Sequence, residues 1–365
     1  MKQTHKAPFV RISKRDTISM WHSWGIRIAG LLLALAFCAI VIYAIVHINP
    51  IKIYAAMFEG NFGSEKRIWV GLRDMAMLLC IGIGLAPAFK MRFWNIGAEG
   101  QILVGGLATA AVMIYFGNAM PTWMLLSMSF VASAIIGGLW GGIPAIFKAH
   151  YNTNEVLFTL MMNYVAIQFT AYFVALWENP FGSNTVGIIN QLSKAGWFPT
   201  LFNQKYMLNV MIVTSLIFIM YAYLRYSKQG YEISVVGESE NTAKYVGINV
   251  KKTIVRTMML SGAICGLAGF IAVAGASHTI STSTAGGRGF TAIIVAWLAK
   301  FNTFVMVLVA ILLVFLEKGG TQIASQYNLN DYVSQMITGI ILFFILGSEF
   351  FIKYRLIFRQ GKEVK

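Results

Sequence analysis

Charge is what this chain has least of. Only 12% of its 365 residues are Asp, Glu, Lys or Arg, 57% are hydrophobic, and the mean hydropathy is +0.66. Such a composition excludes a disordered chain and lies far from that of a soluble domain. Acidic groups are the scarcer kind, 14 against 29 basic. Asp74, Glu99, Glu155, Glu317 and Glu349 come near membrane depth, and none sits at the middle of an apolar run. Ion-coupled transporters usually need an embedded carboxylate or His, so the pattern argues for energy supplied by a partner. Cys38, Cys80 and Cys265 lie in apolar runs without CxxC spacing, as buried thiols do. The five histidines form no HExxH or other ligand pair. There is no GxxxxGK[ST], so the chain has no recognisable ATP site, and GIGLAP at 82–87 falls short of GxGxxG. No Ser/His/Asp or Cys/His constellation is visible. Neither a catalytic residue nor a cofactor is expected.

What is present is a series of long apolar runs. The pattern predicts an all-α, polytopic membrane bundle of about ten spans (eight to ten): 26–46, 68–89, 98–116, 122–147, 155–177, 206–226, 254–276, 289–299, 303–316 and 332–351. The eighth and ninth are too short for ordinary spans and suit tilted, re-entrant or half-helical pieces. With the N-terminus inside, the inner segments hold 20 Lys/Arg and the outer ones six. That bias predicts cytoplasmic termini at both ends. It also assigns the net charge of +15 to topology and anionic lipid rather than nucleic acid. The organisation expected is an N-terminal cytoplasmic or interfacial segment at 1–25, a membrane domain at 26–352 and a basic tail at 353–365. The first apolar run is too long for a signal peptide and has no small-x-small cleavage site after it, so a retained span is expected.

Two polar stretches interrupt the runs. Residues 178–204 fall outside by the charge rule. At 27 residues they are long for a connector and suit a docking surface, with Trp197 and Phe198 as candidate anchors. Residues 227–253 fall inside. Glu238 to Gly247 fit a short helix, with acids leading, Lys244 near the end and Gly247 to terminate it. A helix so short needs a partner to pack on.

The spans themselves carry GxxxG pairs at Gly137/Gly141, Gly138/Gly142 and Gly262/Gly266, with Gly269 one turn on, which suit close helix approach. FWNIGAEGQ, residues 93–101, sets Asn95, Glu99 and Gln101 among glycines between two spans. Polar groups there are costly unless they pair, meet water or line a cavity, and the competing reading is a plain polar turn. A faint inverted symmetry relates the 68–89 run, with Gly82, Gly84, Pro87 and this break, to the 254–276 run and the Gly-rich break SHTISTSTAGGRGF at 277–290. Ser281 to Thr284 could offer hydroxyls there, and Arg288 one fixed charge.

Four strings give a resemblance. FWNIGAEGQ at 93–101, TNEVLFTLMMNYVA at 153–166, SKQGYEISVVGESENTAKYVGINV at 227–250 and AGGRGFTAIIVAWLAKFN at 285–302 resemble, in order, blocks of ABC importer permeases. The group is that for branched-chain amino acids, simple sugars and nucleosides, and the nucleoside-type branch is the most similar. Trp94, Glu238, Trp297 and Lys300 depart from the usual pattern. The resemblance implies a type II-like permease subunit with no catalytic nucleotide site. A separate ABC ATPase would drive it, a second permease (identical or, as in this branch, often different) would pair with it, and an extracytoplasmic binding protein or lipoprotein would feed it. It implies a substrate pathway from Asn95, Glu99, Gln101, Asn154, Glu155, Asn163 and Arg288, with Glu99 alternatively a helix N-terminal acid that stabilises the third span. It also implies an ATPase contact at Gly237, Glu238, Asn241, Ala243, Tyr245 and Gly247. Nucleosides lead as cargo, with ribose- or galactose-type sugars next. A secondary transporter or channel is the rival outside the class.

Overall fold

The computed structural model describes residues 10–15, 19–47 and 49–358. The basic residues before position 10 and the end of the expected basic tail, 359–365, lie outside them. The chain divides into a larger unit, Glu65–Val314, and a smaller one made of the residues before and after it.

In the smaller unit, α1 (Met20–Val46) packs along α13 (Asp331–Lys353). The pair is tied by an ion pair of 2.6 Å from Arg27 Nη2 to Glu349 Oε1 and by Phe37 against Phe344. Two strands flank these helices: β1 (Val10–Lys14) pairs antiparallel with β2 (Tyr354–Phe358). The segments expected to be an interfacial stretch and a tail therefore meet in a two-stranded sheet. A further helix, α2 (Pro50–Phe62), fills what the sequence suggested was a connector. Its start signal is local: Asn49 Oδ1 accepts the Ile51 N–H at 2.9 Å, and Pro50 takes the first helical position, where no N–H is needed.

The larger unit contains α3 (Glu65–Lys90), α4 (Ala98–Phe116), α5 (Thr122–Tyr151), α6 (Glu155–Leu176), α7 (Met207–Tyr226), α8 (Lys228–Glu238), α9 (Glu240–Tyr245), α10 (Val250–Ala272) and α11 (Arg288–Leu298). α10 runs on into a π-helical turn, Val273–Ser277, and packs on α5, α4 and α3. The glycine pairs explain how. A Cβ on Gly137 would stand 2.5 Å from the Gly262 carbonyl oxygen, and one on Gly141 would stand 2.8 Å from that of Met258. Backbone meets backbone there, which is how helices associate where lipid gives no hydrophobic drive.

Among the described residues, nine helices are long and apolar enough to cross a membrane, within the eight to ten expected: α1, α3 to α7, α10, α12 (Thr303–Gln326) and α13. The expected eighth span is α11, eleven residues and roughly 16 Å long, half a hydrocarbon core. The expected ninth, stopped at residue 316 by Glu317 and Lys318, continues as helix to Gln326. A charged turn at a span end does not break the backbone hydrogen bonding.

Candidate functional site

A cavity of about 290 Å³ opens between α3, the end of α10 and the segment leading into α11. Its charged wall is Arg73, Asp74 and Arg288. The Asp74 carboxylate is 3% exposed. Its Oδ1 takes the Arg73 Nη2 at 2.8 Å and the Arg288 Nη2 at 3.4 Å. Two guanidiniums on one carboxylate leave net positive character, and the shared acid holds both in place. Arg73 also lies over the Tyr206 ring, 5.0 Å from its centroid. The lining also carries a set of hydroxyls, Ser277, Thr279, Ser281, Ser283 and Thr284. Thr284 Oγ1 accepts the Ser281 N–H at 2.9 Å, and the Ser281 and Ser283 hydroxyls stand 3.1 Å apart. Such a lining can exchange hydrogen bonds with a neutral polyhydroxy ligand, and the arginines suit a carbonyl or ring acceptor.

The two breaks singled out in the sequence meet beside this cavity. Glu99 opens α4, and its carboxylate accepts the Gly287 N–H at 2.6 Å and the Gly289 N–H at 2.8 Å, at the start of α11. An acid at that helix N-terminus satisfies orphan donors and complements the dipole. Gly287 has φ +76°. A Cβ on Gly289 would stand 2.6 Å from Glu99 Oε2. The glycines of AGGRG are thus required by conformation at one position and by approach at the other.

The remaining expected pathway residues lie elsewhere. Asn95, Gln101 and Asn163 are buried and turned toward the protein. Asn95 Nδ2 donates to Ser261 Oγ at 3.0 Å and to Gln101 Oε1 at 3.2 Å, and its Oδ1 accepts the Gly97 N–H. Asn163 accepts the Gly100 N–H at 2.8 Å and donates to the Ile96 carbonyl at 2.9 Å. They pin the irregular turn between α3 and α4 onto α6 and α10. Asn154 caps α6 through the Val156 and Leu157 N–H groups, and Glu155 pairs with Lys148 at 2.9 Å. Of the expected set, Arg288 alone lines the cavity and Glu99 supports its wall. Arg73 and Asp74 escaped notice as a site. Their signal was available, since adjacent opposite charges inside an apolar run rarely lack a partner.

The expected contact loop forms two helices, α8 and α9. Gly237 and Ala243 face inward: a Cβ on Gly237 would stand 3.2 Å from the Met91 Cα, and Ala243 is fully buried. Glu238, Asn241, Tyr245 and Gly247 are exposed, Tyr245 at 93%. Gly247, φ +83°, closes α9: Ile248 N–H bonds the Ala243 carbonyl at 2.9 Å and Gly247 N–H that of Lys244 at 3.0 Å.

At the other end of the bundle, residues 178–204 form turns. Trp197 stacks on His278 at 3.8 Å, and the Phe198 N–H bonds the Ala274 carbonyl at 3.1 Å. Both anchors therefore hold the loop to the end of α10. Burial and then Lys205 push the His278 imidazole down to about 4. Phe181, Leu192 and Phe202 project from the loop.

Multiple apolar spans, a half-helix and a polar cavity at the break mark a multi-pass membrane protein. The model of the family described as the permease component of branched-chain amino acid transport systems matches residues 68–346, and the chain belongs to that family. The guanosine ABC transporter permease NupP of Bacillus subtilis is 31% identical, over 85% of this chain and 88% of that protein. The glucose ABC transporter permease TsgB13 of Haloferax volcanii is 26% identical, over 95% and 93%. The nucleoside ABC transporter permease NupB of Lactococcus lactis is 26% identical, over 81% and 84%.

Proposed function

We propose that this chain forms half of the pore of an ATP-driven nucleoside importer, with both termini cytoplasmic. The observation that carries the reading is the cavity lined by Arg73, Asp74 and Arg288 together with a set of hydroxyls. Its size is at the lower end for small-molecule sites, roughly 300–1,000 Å³. The Bacillus and Lactococcus relatives, named for guanosine and nucleosides, support the cargo. The excess of basic residues at one end supports the orientation, and pairing of β1 with β2 supports placing both chain ends on one side.

In this reading substrate arrives from an extracytoplasmic binding protein that docks on residues 178–204. A separate ATPase hydrolyses ATP, and its closure moves α8 and α9. A second permease chain completes the pore. Glu99 holds the half-helix α11 so that Arg288 faces the path, while Asn95, Gln101 and Asn163 keep the facing turn rigid. Sugar import is the second reading, favoured by the hydroxyls and the Haloferax relative named for glucose.

The test is uptake of labelled guanosine, uridine, ribose and glucose in cells lacking the chain, complemented with wild type or Arg288→Gln. Loss of nucleoside uptake alone, restored by wild type and not by the variant, supports the reading. Loss confined to sugars moves the cargo to the second one. Full nucleoside uptake with Arg288→Gln overturns the assignment of the cavity.

A further inference from the structure

A second cavity, of about 450 Å³, lies at the α8 end of the larger unit. Three cations line it: Lys90 at the end of α3, Arg225 at the end of α7 and Lys300 before α12. Tyr231 and Ser234 of α8 add hydroxyls, and no Asp or Glu is among its lining. Thr303 also lines it and opens the 24-residue α12. Thr303 is 2% exposed, and its Oγ1 has no hydrogen-bond partner among the described residues. Asn302 Oδ1 caps the next N–H groups, of Phe304 at 3.0 Å and Val305 at 3.4 Å. A buried hydroxyl is rarely left unpaired. Here it stands in a positively lined pocket at the positive end of a long helix dipole, an arrangement suited to an anion.

We infer that this cavity is a phosphate site, one that takes the headgroup phosphate of an anionic phospholipid. Phosphate supplies several acceptor oxygens, enough for three cations and the Thr303 hydroxyl together. The membrane source is favoured by the surroundings. Arg225 Nη1 donates to the Tyr221 hydroxyl at 3.1 Å, and its guanidinium lies over the Tyr221 and Tyr226 rings. Tyr226 and Phe304 are exposed beside it. Tyr and Arg at a span end mark headgroup depth, and basic pockets between spans bind acidic headgroups. The site is separate from the hydroxyl-lined cavity and does not depend on what that cavity carries.

Native mass spectrometry of the full-length chain, purified with its partner subunits, tests the site. Phosphatidylglycerol and phosphatidylcholine are titrated separately, and millimolar inorganic phosphate is then added as competitor. The wild type is expected to retain phosphatidylglycerol over phosphatidylcholine. In the Arg225→Gln/Lys300→Gln variant that preference should fall on the order of tenfold or more. Thr303→Val, which removes the hydroxyl at nearly constant volume, should also weaken retention while leaving lipid-free thermal stability unchanged. Lys251→Gln/Lys252→Gln, which removes basic residues outside the cavity, should change nothing. Displacement of the lipid by inorganic phosphate would keep the phosphate site and reassign its source to solution. Equal retention of both lipids, or undiminished phosphatidylglycerol binding in Thr303→Val, overturns the inference. The Thr303 variant decides alone if the double variant does not fold.

Discussion

Glu99 shows how one side chain can hold a structural break in a membrane. Its carboxylate is 8% exposed and bonded to two backbone N–H groups of another segment. Truncation by Glu99→Ala would leave the Gly289 N–H buried and unpaired, at about 1–3 kcal/mol, and would release the Gly287 N–H, whose residue is exposed. The expected outcome is a lower unfolding midpoint in detergent together with reduced uptake. Gly289→Ala reaches the same contact from the other side, because its Cβ would stand 2.6 Å from Glu99 Oε2. Overpacking of that kind typically costs about 1–3 kcal/mol. Unchanged melting of both variants would show that the half-helix is held by other contacts. The sequence marked Glu99 as polar at a span end, and a helix N-terminal role was foreseeable. Nothing in it said which helix. Glu99 opens α4, yet the N–H groups it satisfies belong to residues 287 and 289, a pairing that only the tertiary fold creates.

Elements differ in how openly they were written. The bounds of α4 matched the apolar run residue for residue, since glycine and aromatic residues mark its ends. α2 and α8 did not stand out because neither is apolar enough to read as a span, and their start signals, Asn49 with Pro50 and Ser227, are single local bonds. The 178–204 loop was recognised by length. Its attachment was not, because stacking of Trp197 on His278 joins residues far apart in sequence. That stacking has a pH consequence. His278 titrates near 4 in the folded loop against about 6.5 when released. A histidine kept neutral by burial contributes its full stabilisation above 6.5 and loses it as pH falls toward 4, because only the released state takes up the proton. The loss amounts to roughly 3 kcal/mol. Loop proteolysis, or the fluorescence of Trp197 in a chain whose other tryptophans are replaced by Phe, should therefore report undocking between pH 6.5 and 4. In His278→Phe the transition should vanish. At the opposite element, Tyr245→Ala removes a side chain that is 93% exposed. Stability should move by no more than about 0.5 kcal/mol. Uptake should fall if α9 is the surface through which an ATPase drives the spans, and unaltered uptake would remove Tyr245 from that contact.

For the whole molecule, orientation is the property on which every functional assignment depends. The hydroxyl-lined cavity can receive delivered substrate only if the ends of α3 and α10 that bear it face outward. The α8–α9 surface can meet an ATPase only if it faces inward. The charge bias orders both at once, and one labelling experiment separates the alternatives. The native thiols Cys38, Cys80 and Cys265 are all buried and free, so they form a quiet background. Leu192→Cys places a thiol on the loop at 178–204 at a fully exposed position, and Tyr245→Cys places one on α9. In intact cells a membrane-impermeant maleimide should label the Leu192 variant and spare the Tyr245 variant. Permeabilisation should expose the second without changing the first. The reverse pattern would put the cavity at the α8 end and the α8–α9 surface outside. It would then sink the importer reading whatever the uptake data showed, because no cytoplasmic ATPase could reach α9. Labelling of both in intact cells would mean that the long loop and the two short helices share one side. That would contradict the helix order itself, since α7, a 20-residue span, separates them.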